Sequence, residues 1–219
     1  MFVHEILKRE VIIPAESVML RGDLIIPDGA TGVVLFAHGS GSSRNSPRNK
    51  FVAEIIRNSN LGTLLFDLLT DEEESVDIYT RHLRFNIGLL ARRLVAAATW
   101  LKSLEETQHL KIGLFGASTG AAAALVAAAE LGEAVGAVVS RGGRPDLAGE
   151  ALEQVSAPVL LIIGGLDDVV IKLNEQAYAQ LQCIKEMKIV SGATHLFEEP
   201  GTLETVAGLA AGWFEHYLK

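Results

Sequence analysis

Short runs that are apolar at nearly every position alternate with longer stretches of helical periodicity along most of this chain. The runs fall at 33–37, 62–66, 112–115, 134–139 and 158–163, with a last one at 187–190. Between them, 51–58 puts Val52, Ile55 and Ile56 on one helical face, and 81–104 reads as a long amphipathic helix. Residues 118–131 form an Ala-rich helix, and 173–182 and 203–217 complete the set. A strand that is apolar throughout is buried on both faces. Strands that alternate with helices imply βαβ crossovers, hence an α/β fold with a mostly parallel sheet flanked by helices. Residues 9–13 and 17–26 precede this rhythm. They alternate partially and end at the turn signal Pro27-Asp28-Gly29 with no helix between them, which predicts an antiparallel edge.

At 219 residues and 49% hydrophobic content, the chain supports one domain, 1–219, with a large core. It has no linker, internal repeat or low-complexity segment. The net charge of −8 and the lack of any Lys/Arg block argue against nucleic acid and against anionic membrane surfaces. The longest apolar run, 120–129, is too short to span a bilayer. Residues 1–10 alternate apolar and charged positions without the basic start and apolar stretch of a signal peptide, so a cytoplasmic protein is expected. The lone Cys183 can form no internal disulfide and belongs to no C-x-x-C pair; it reads as a partly buried thiol at a helix end.

Three polar stretches interrupt the pattern: 39–49, 70–75 and 140–149. The first and third directly follow predicted strands, where loops of an open α/β sheet build the ligand site. Asp71-Glu72-Glu73-Glu74 reads as a solvated loop, with a place at the pocket mouth as the alternative.

The chemistry centres on Gly116-Ala117-Ser118-Thr119-Gly120. A serine hydroxyl attacks a carbonyl only when a base removes its proton. A G-x-S-x-G turn between strand and helix lifts the serine Oγ above the sheet, and the helix N-terminus favours the developing oxyanion. The flanking strand and helix former are both present, which outweighs reading Ser118 as an ordinary N-cap.

A base and an acid must follow in chain order. Of the two later histidines, His216 lies within the last helix, whereas His195 lies in a loop after the last strand and can reach the elbow. The acid is expected after the preceding strand, in Gly164-Gly165-Leu166-Asp167-Asp168. Asp167 is the choice and Asp168 the alternative; the other is a turn former or N-cap.

Oxyanion donors are expected from the N–H of Thr119 and from Ala37-His38-Gly39-Ser40-Gly41. Ser40 supplies the second N–H, with Gly39 and Gly41 as alternatives. Gly39 is also expected to border the substrate, and His38 is structural. Arg141 or Arg144 is a candidate for binding a substrate carboxylate, set against a structural ion pair to Asp146 or Asp67. The pattern contains neither G-x-G-x-x-G nor G-K-[ST], and no metal or cofactor is expected.

On His38-Gly39-Ser40-Gly41, Gly116-Ala117-Ser118-Thr119-Gly120, Gly164-Gly165-Leu166-Asp167 and Gly192-Ala193-Thr194-His195, the chain resembles the dienelactone hydrolase family of the α/β-hydrolase superfamily. The resemblance implies an α/β-hydrolase fold with an eight-stranded sheet, little or no cap domain, and neither metal nor cofactor. Dienelactone hydrolases proper carry a cysteine in the elbow, and this chain carries Ser118. The expected function is hydrolysis of a small carboxylic ester, lactone or thioester through an acyl-enzyme on Ser118. A peptidase or acyltransferase on the same triad, and a catalytically idle binding protein of this fold, are the alternatives. The expected partner is a small-molecule ester. An edge strand or the exposed face of 203–217 offers a surface for a homodimer.

Overall fold

The structure is a computed structural model that describes residues 6–219. The sequence reading of the N-terminus as free of a signal peptide lies, for residues 1–5, outside the described residues. The strands are β1 (Ile6–Ala15), β2 (Val18–Pro27), β3 (Gly32–Ala37), β4 (Gly62–Phe66), β5 (Lys111–Ala117), β6 (Val135–Arg141), β7 (Val159–Gly164) and β8 (Lys185–Val190). They form one eight-stranded sheet in the order β1-β2-β4-β3-β5-β6-β7-β8. β1 and β2 are the antiparallel edge, β2 pairs antiparallel with β4, and every other pairing is parallel.

The helices are α1 (Pro47–Asn58), α2 (Asp71–Thr80), α3 (Ile87–Ser103), α4 (Thr119–Leu131), α5 (Asp168–Gln180) and α6 (Thr202–Leu218). Strand order reverses between β3 and β5, because β4 lies on one side of β3 and the chain returns on the other. Such a reversal opens a crevice at the strand C-termini. The first residues beyond these strands are His38 and Ser118.

Burial follows the apolar runs. One face of the sheet packs Leu35, Leu64, Leu114 and Val138 against α3 and α4. The other packs Phe36, Phe115 and Val139 against α1 and α6. Leu218 is fully buried at the end of α6. A Cβ at Gly32, Gly113 or Gly136 would lie 2.7–2.9 Å from its side chain. Three neighbouring strands thus leave their side-chain space to one leucine.

Two sequence readings are corrected. The stretch Asp71–Glu74 faces solvent as read, and Asp71 and Glu74 border a cavity, but it is the first turn of α2 and not a loop. Thr70 Oγ1 accepts from the Glu73 N–H, and the Glu73 carboxylate accepts from the Thr70 N–H, which is a capping box. The acidic turn also complements the positive end of the helix dipole. The helix read over 81–104 begins six residues later than read, because 81–86 are not helical. Arg81 adopts a left-handed conformation (φ 54°) that ends α2, and α3 begins at Ile87 behind the N-cap Asn86. Residues 145–154, placed partly in a polar stretch, form 3-10 turns broken by Gly149.

Leu218→Ala should lower the unfolding free energy by about 3 kcal/mol, because the glycine-lined space cannot collapse around a smaller residue. The check is a lower urea midpoint with an unchanged slope.

Candidate active site

β5 runs straight into Ser118, whose backbone sits at φ 51° and ψ −121°. A non-glycine residue there stores strain of about 1–3 kcal/mol. Neighbouring backbone enforces it. The Ser118 N–H donates to the Arg141 carbonyl at 3.2 Å, and its own carbonyl accepts from Ala121 at 3.1 Å and Arg144 at 3.0 Å. The flanking glycines are dictated by contact. A Cβ at Gly120 would lie 2.2 Å from the Ala37 carbonyl oxygen, and one at Gly116 would lie 2.4 Å from the Ala121 Cα.

The predicted acid and base come together. His195 Nδ1 lies 2.7 Å from Asp167 Oδ2, and the two side chains are 37% and 17% exposed. An ionised carboxylate can only accept, so Nδ1–H donates and the lone pair of the neutral ring is on Nε2. Asp168 instead opens α5, while Asp167 is its N-cap residue with its carboxylate turned to His195. The loop is braced on both sides: Leu166 N–H donates to Ala193 O at 2.9 Å, and Glu199 accepts from the Thr194 N–H and hydroxyl. Gly142 lies behind His195, where a Cβ would stand 3.0 Å from the His195 carbonyl oxygen. Among the described residues, no hydrogen bond joins the Ser118 hydroxyl to His195.

The loop after β3 presses on Ser118: a Cβ at Gly39 would lie 3.2 Å from Ser118 Cβ. His38 is buried, with Nε2 accepting from the Leu68 N–H at 3.0 Å and Nδ1 3.0 Å from Gly39 O. Both ring nitrogens are therefore committed to the backbone, and burial holds the imidazole below its ordinary pKa. Ser40 departs from the sequence reading. Its N–H donates to Thr119 Oγ1 at 3.1 Å instead of lying free, and the two hydroxyls are 2.9 Å apart.

Behind this loop stands a clamp that sequence reasoning missed. Fully buried Asp77 accepts from the N–H groups of Leu83 and Arg84 and from Arg84 Nε at 2.6 Å. Arg84 in turn offers its carbonyl to Ser40 Oγ at 3.5 Å. The signal available in the sequence was the Thr70-x-x-Glu73 box, which makes 71–80 helical and turns Asp77 inward.

The two arginines differ. Arg144 forms a bidentate ion pair with Asp146, two contacts of 2.8 Å, which is the structural alternative. Arg141 is 8% exposed and has no carboxylate partner among the described residues; its Nη1 is buried and unpaired. Its guanidinium lies 5.8 Å from the Phe115 ring centroid. Burial, with Arg48 close by, pulls its pKa down to about 10. A cavity of about 600 Å³ opens beside His38, between Ser42, Asp67 and Thr70. No helix of the described residues is long and apolar enough to cross a membrane.

Comparison with known proteins places the chain by family and fold. The sequence model of the dienelactone hydrolase family matches residues 61–212. The crystal structure of a dienelactone hydrolase from Anabaena variabilis is similar over 99% of this chain and all of that one, at 61% identity and a TM-score of 0.97. A Mycobacterium tuberculosis protein that bears the provisional name phosphoribosyl transferase is 54% identical over 209 residues, 95% of this chain. The chain spans 46% of that relative's length. Est1E from Butyrivibrio proteoclasticus shares the fold, with a TM-score of 0.79 at 15% identity over 95% and 98% of the two chains.

The clamp generates a prediction about acid. The Arg93 guanidinium hydrogen-bonds Glu73 and holds its carboxyl below the usual range. Burial alone would raise Asp77, but the bonds from Arg84 and the Leu83 N–H outweigh it and hold it low. A carboxyl depressed by folding stabilises the fold above its unfolded pKa, about 4, and that stabilisation disappears as pH falls through the folded value. Asp77→Asn should therefore be less stable than wild type at pH 7, and urea midpoints should converge as pH falls toward 3.

Proposed function

The chain belongs to the dienelactone hydrolase family, and we propose that it is a serine hydrolase acting on a small carboxylic ester, lactone or thioester. The observation that carries the reading is Ser118, held at φ 51° above the strand reversal, with the Asp167–His195 pair on the loops after β7 and β8 of the same sheet. In this reaction Ser118 Oγ bonds to the carbonyl carbon while its proton passes to His195 Nε2 and the carbonyl π pair moves onto oxygen. Collapse breaks the bond to the leaving oxygen or sulfur, which takes the proton from His195. Water then repeats the sequence and frees the acid. Asp167 keeps Nδ1 protonated and stabilises the imidazolium.

Thr119 N–H, at the start of α4, is the backbone donor to the oxyanion. Arg141 is our candidate for a substrate carboxylate, because a buried cation without a carboxylate partner is stabilised by an incoming anion. The phosphoribosyl transferase name belongs to a protein of which this chain matches 46%. We assign that named activity to the part this chain does not match.

On p-nitrophenyl esters of graded acyl length, Ser118→Ala should lose at least about 10³-fold in kcat. Equal rates for both proteins would end the hydrolase reading, and the preference of the wild type along the series would size the acyl pocket. Asp167→Asn should lose about 10²–10⁴-fold, with Asp168→Asn close to wild type. Arg141→Met, which keeps an apolar stem on Phe115, should impair acidic esters at least about tenfold more than neutral ones. An equal loss on both would remove Arg141 from substrate recognition.

A further inference from the structure

We propose that a side-chain hydroxyl of the Ser40–Thr119 pair, and not the Ser40 N–H, is the second donor to the oxyanion. The inference rests on the hydrolase reading above and specifies how its charged intermediate is met.

The Ser40 N–H carries one hydrogen, and it is directed to Thr119 Oγ1 at 3.1 Å. The two hydroxyls are 2.9 Å apart, so one of their two protons lies between the oxygens. The other is left over whichever oxygen donates. Thr119 is 5% exposed and Ser40 is more open. The only other contact of either hydroxyl among the described residues is Ser40 Oγ to the Arg84 carbonyl at 3.5 Å.

These contacts order into one chain: Ser40 N–H to Thr119 Oγ1, Thr119 O–H to Ser40 Oγ, Ser40 O–H toward Arg84 O. A carbonyl at 3.5 Å holds a hydroxyl proton weakly. An oxyanion forms a shorter, charge-assisted bond and displaces it. Polarisation along the chain strengthens the terminal donor.

Position supports the assignment. Ala37 pairs with Gly116 across the parallel β3–β5 ladder, which sets the residues that follow, His38 to Ser40 and Ser118 to Thr119, side by side. Gly39 presses against Ser118 Cβ, and Thr119 is the residue after the nucleophile. The Asp77–Arg84 clamp fixes the carbonyl on which the free proton rests. Thr119 then has two tasks: its N–H meets the oxyanion, and its Oγ1 orients the hydroxyl that does the same.

The test uses the whole chain, p-nitrophenyl acetate, and an aliphatic trifluoromethyl ketone, which adds Ser118 to give a tetrahedral oxyanion. Ser40→Ala should lower kcat by about 10²-fold, with KM within about threefold of wild type. It should weaken the ketone by a similar factor and leave the urea midpoint unchanged. Thr119→Ser, which keeps the hydroxyl, should stay within about threefold of wild type. Thr119→Val should fall as far as Ser40→Ala, and the double variant no further than either, because the pair acts as one unit.

A Ser40→Ala enzyme with wild-type kcat and ketone affinity would overturn the inference, as would full additivity in the double variant. The two levels separate cleanly. If Ser118→Ala hydrolyses the ester as fast as wild type, the hydrolase reading fails. If Ser118→Ala is inactive and Ser40→Ala is not impaired, only the hydroxyl donor fails.

Discussion

The site depends on how closely α4 can descend onto the ends of β3 and β5. At Gly120 the helix backbone comes so near the Ala37 carbonyl that a Cβ would stand 2.2 Å from its oxygen. At Gly116 the strand meets the next turn at 2.4 Å by the same measure. Any side chain at either position would lift the helix, relax Ser118 out of φ 51°, and withdraw its hydroxyl from the crevice. Packing elsewhere opposes that relaxation. Ala121 to Ala124 are fully buried against the sheet and against α3, so α4 has no free direction in which to move. The strain at one residue is thus held by a whole helix of small side chains.

Much of this was legible along the chain. The apolar runs from 33 to 163 correspond to strands because both sheet faces are covered there, which makes period-2 alternation unnecessary. The elbow was legible because glycine spacing and element order are both local. What escaped was the segment from Thr70 to Asn86. Four consecutive acids suggest water, yet the Thr70–Glu73 box makes them helical, and Arg93 draws Glu73 into a bidentate ion pair. A fully buried aspartate looks like any surface acid until its donors, Leu83 and Arg84, are seen to fold back on it. Tertiary contact, not propensity, decided that stretch.

The site divides along the same line. Chain order and strand ends pointed to Ser118, Asp167 and His195, and the structure brings the last two within 2.7 Å. Choosing between Asp167 and Asp168 needed the direction of one side chain, which adjacent positions in a sequence do not disclose. The Ser40 N–H was expected to be free because glycine-flanked loops commonly turn their amides inward. Its engagement by Thr119 Oγ1 depends on the register of β3 against β5, a non-local quantity.

The choice of serine over cysteine in the elbow bears on why the surroundings are built so tightly. A thiol with a pKa near 8.5 can be stored as the thiolate by a modest electrostatic environment. A serine hydroxyl cannot; it must lose its proton as it attacks, so base and donors have to be in place beforehand. On the hydrolase function proposed above, each support in the structure answers that need. Asp167 fixes the tautomer of His195, and Glu199 with Thr194 braces its loop. His38 spends both ring nitrogens holding the loop after β3 to β4's end, and Asp77 does the same from the far side through Arg84. Arg141 sits beneath this frame as a buried cation with no carboxylate partner among the described residues. An unpaired charge is costly to bury, and on the proposed function an anion that arrives with the substrate would offset that cost.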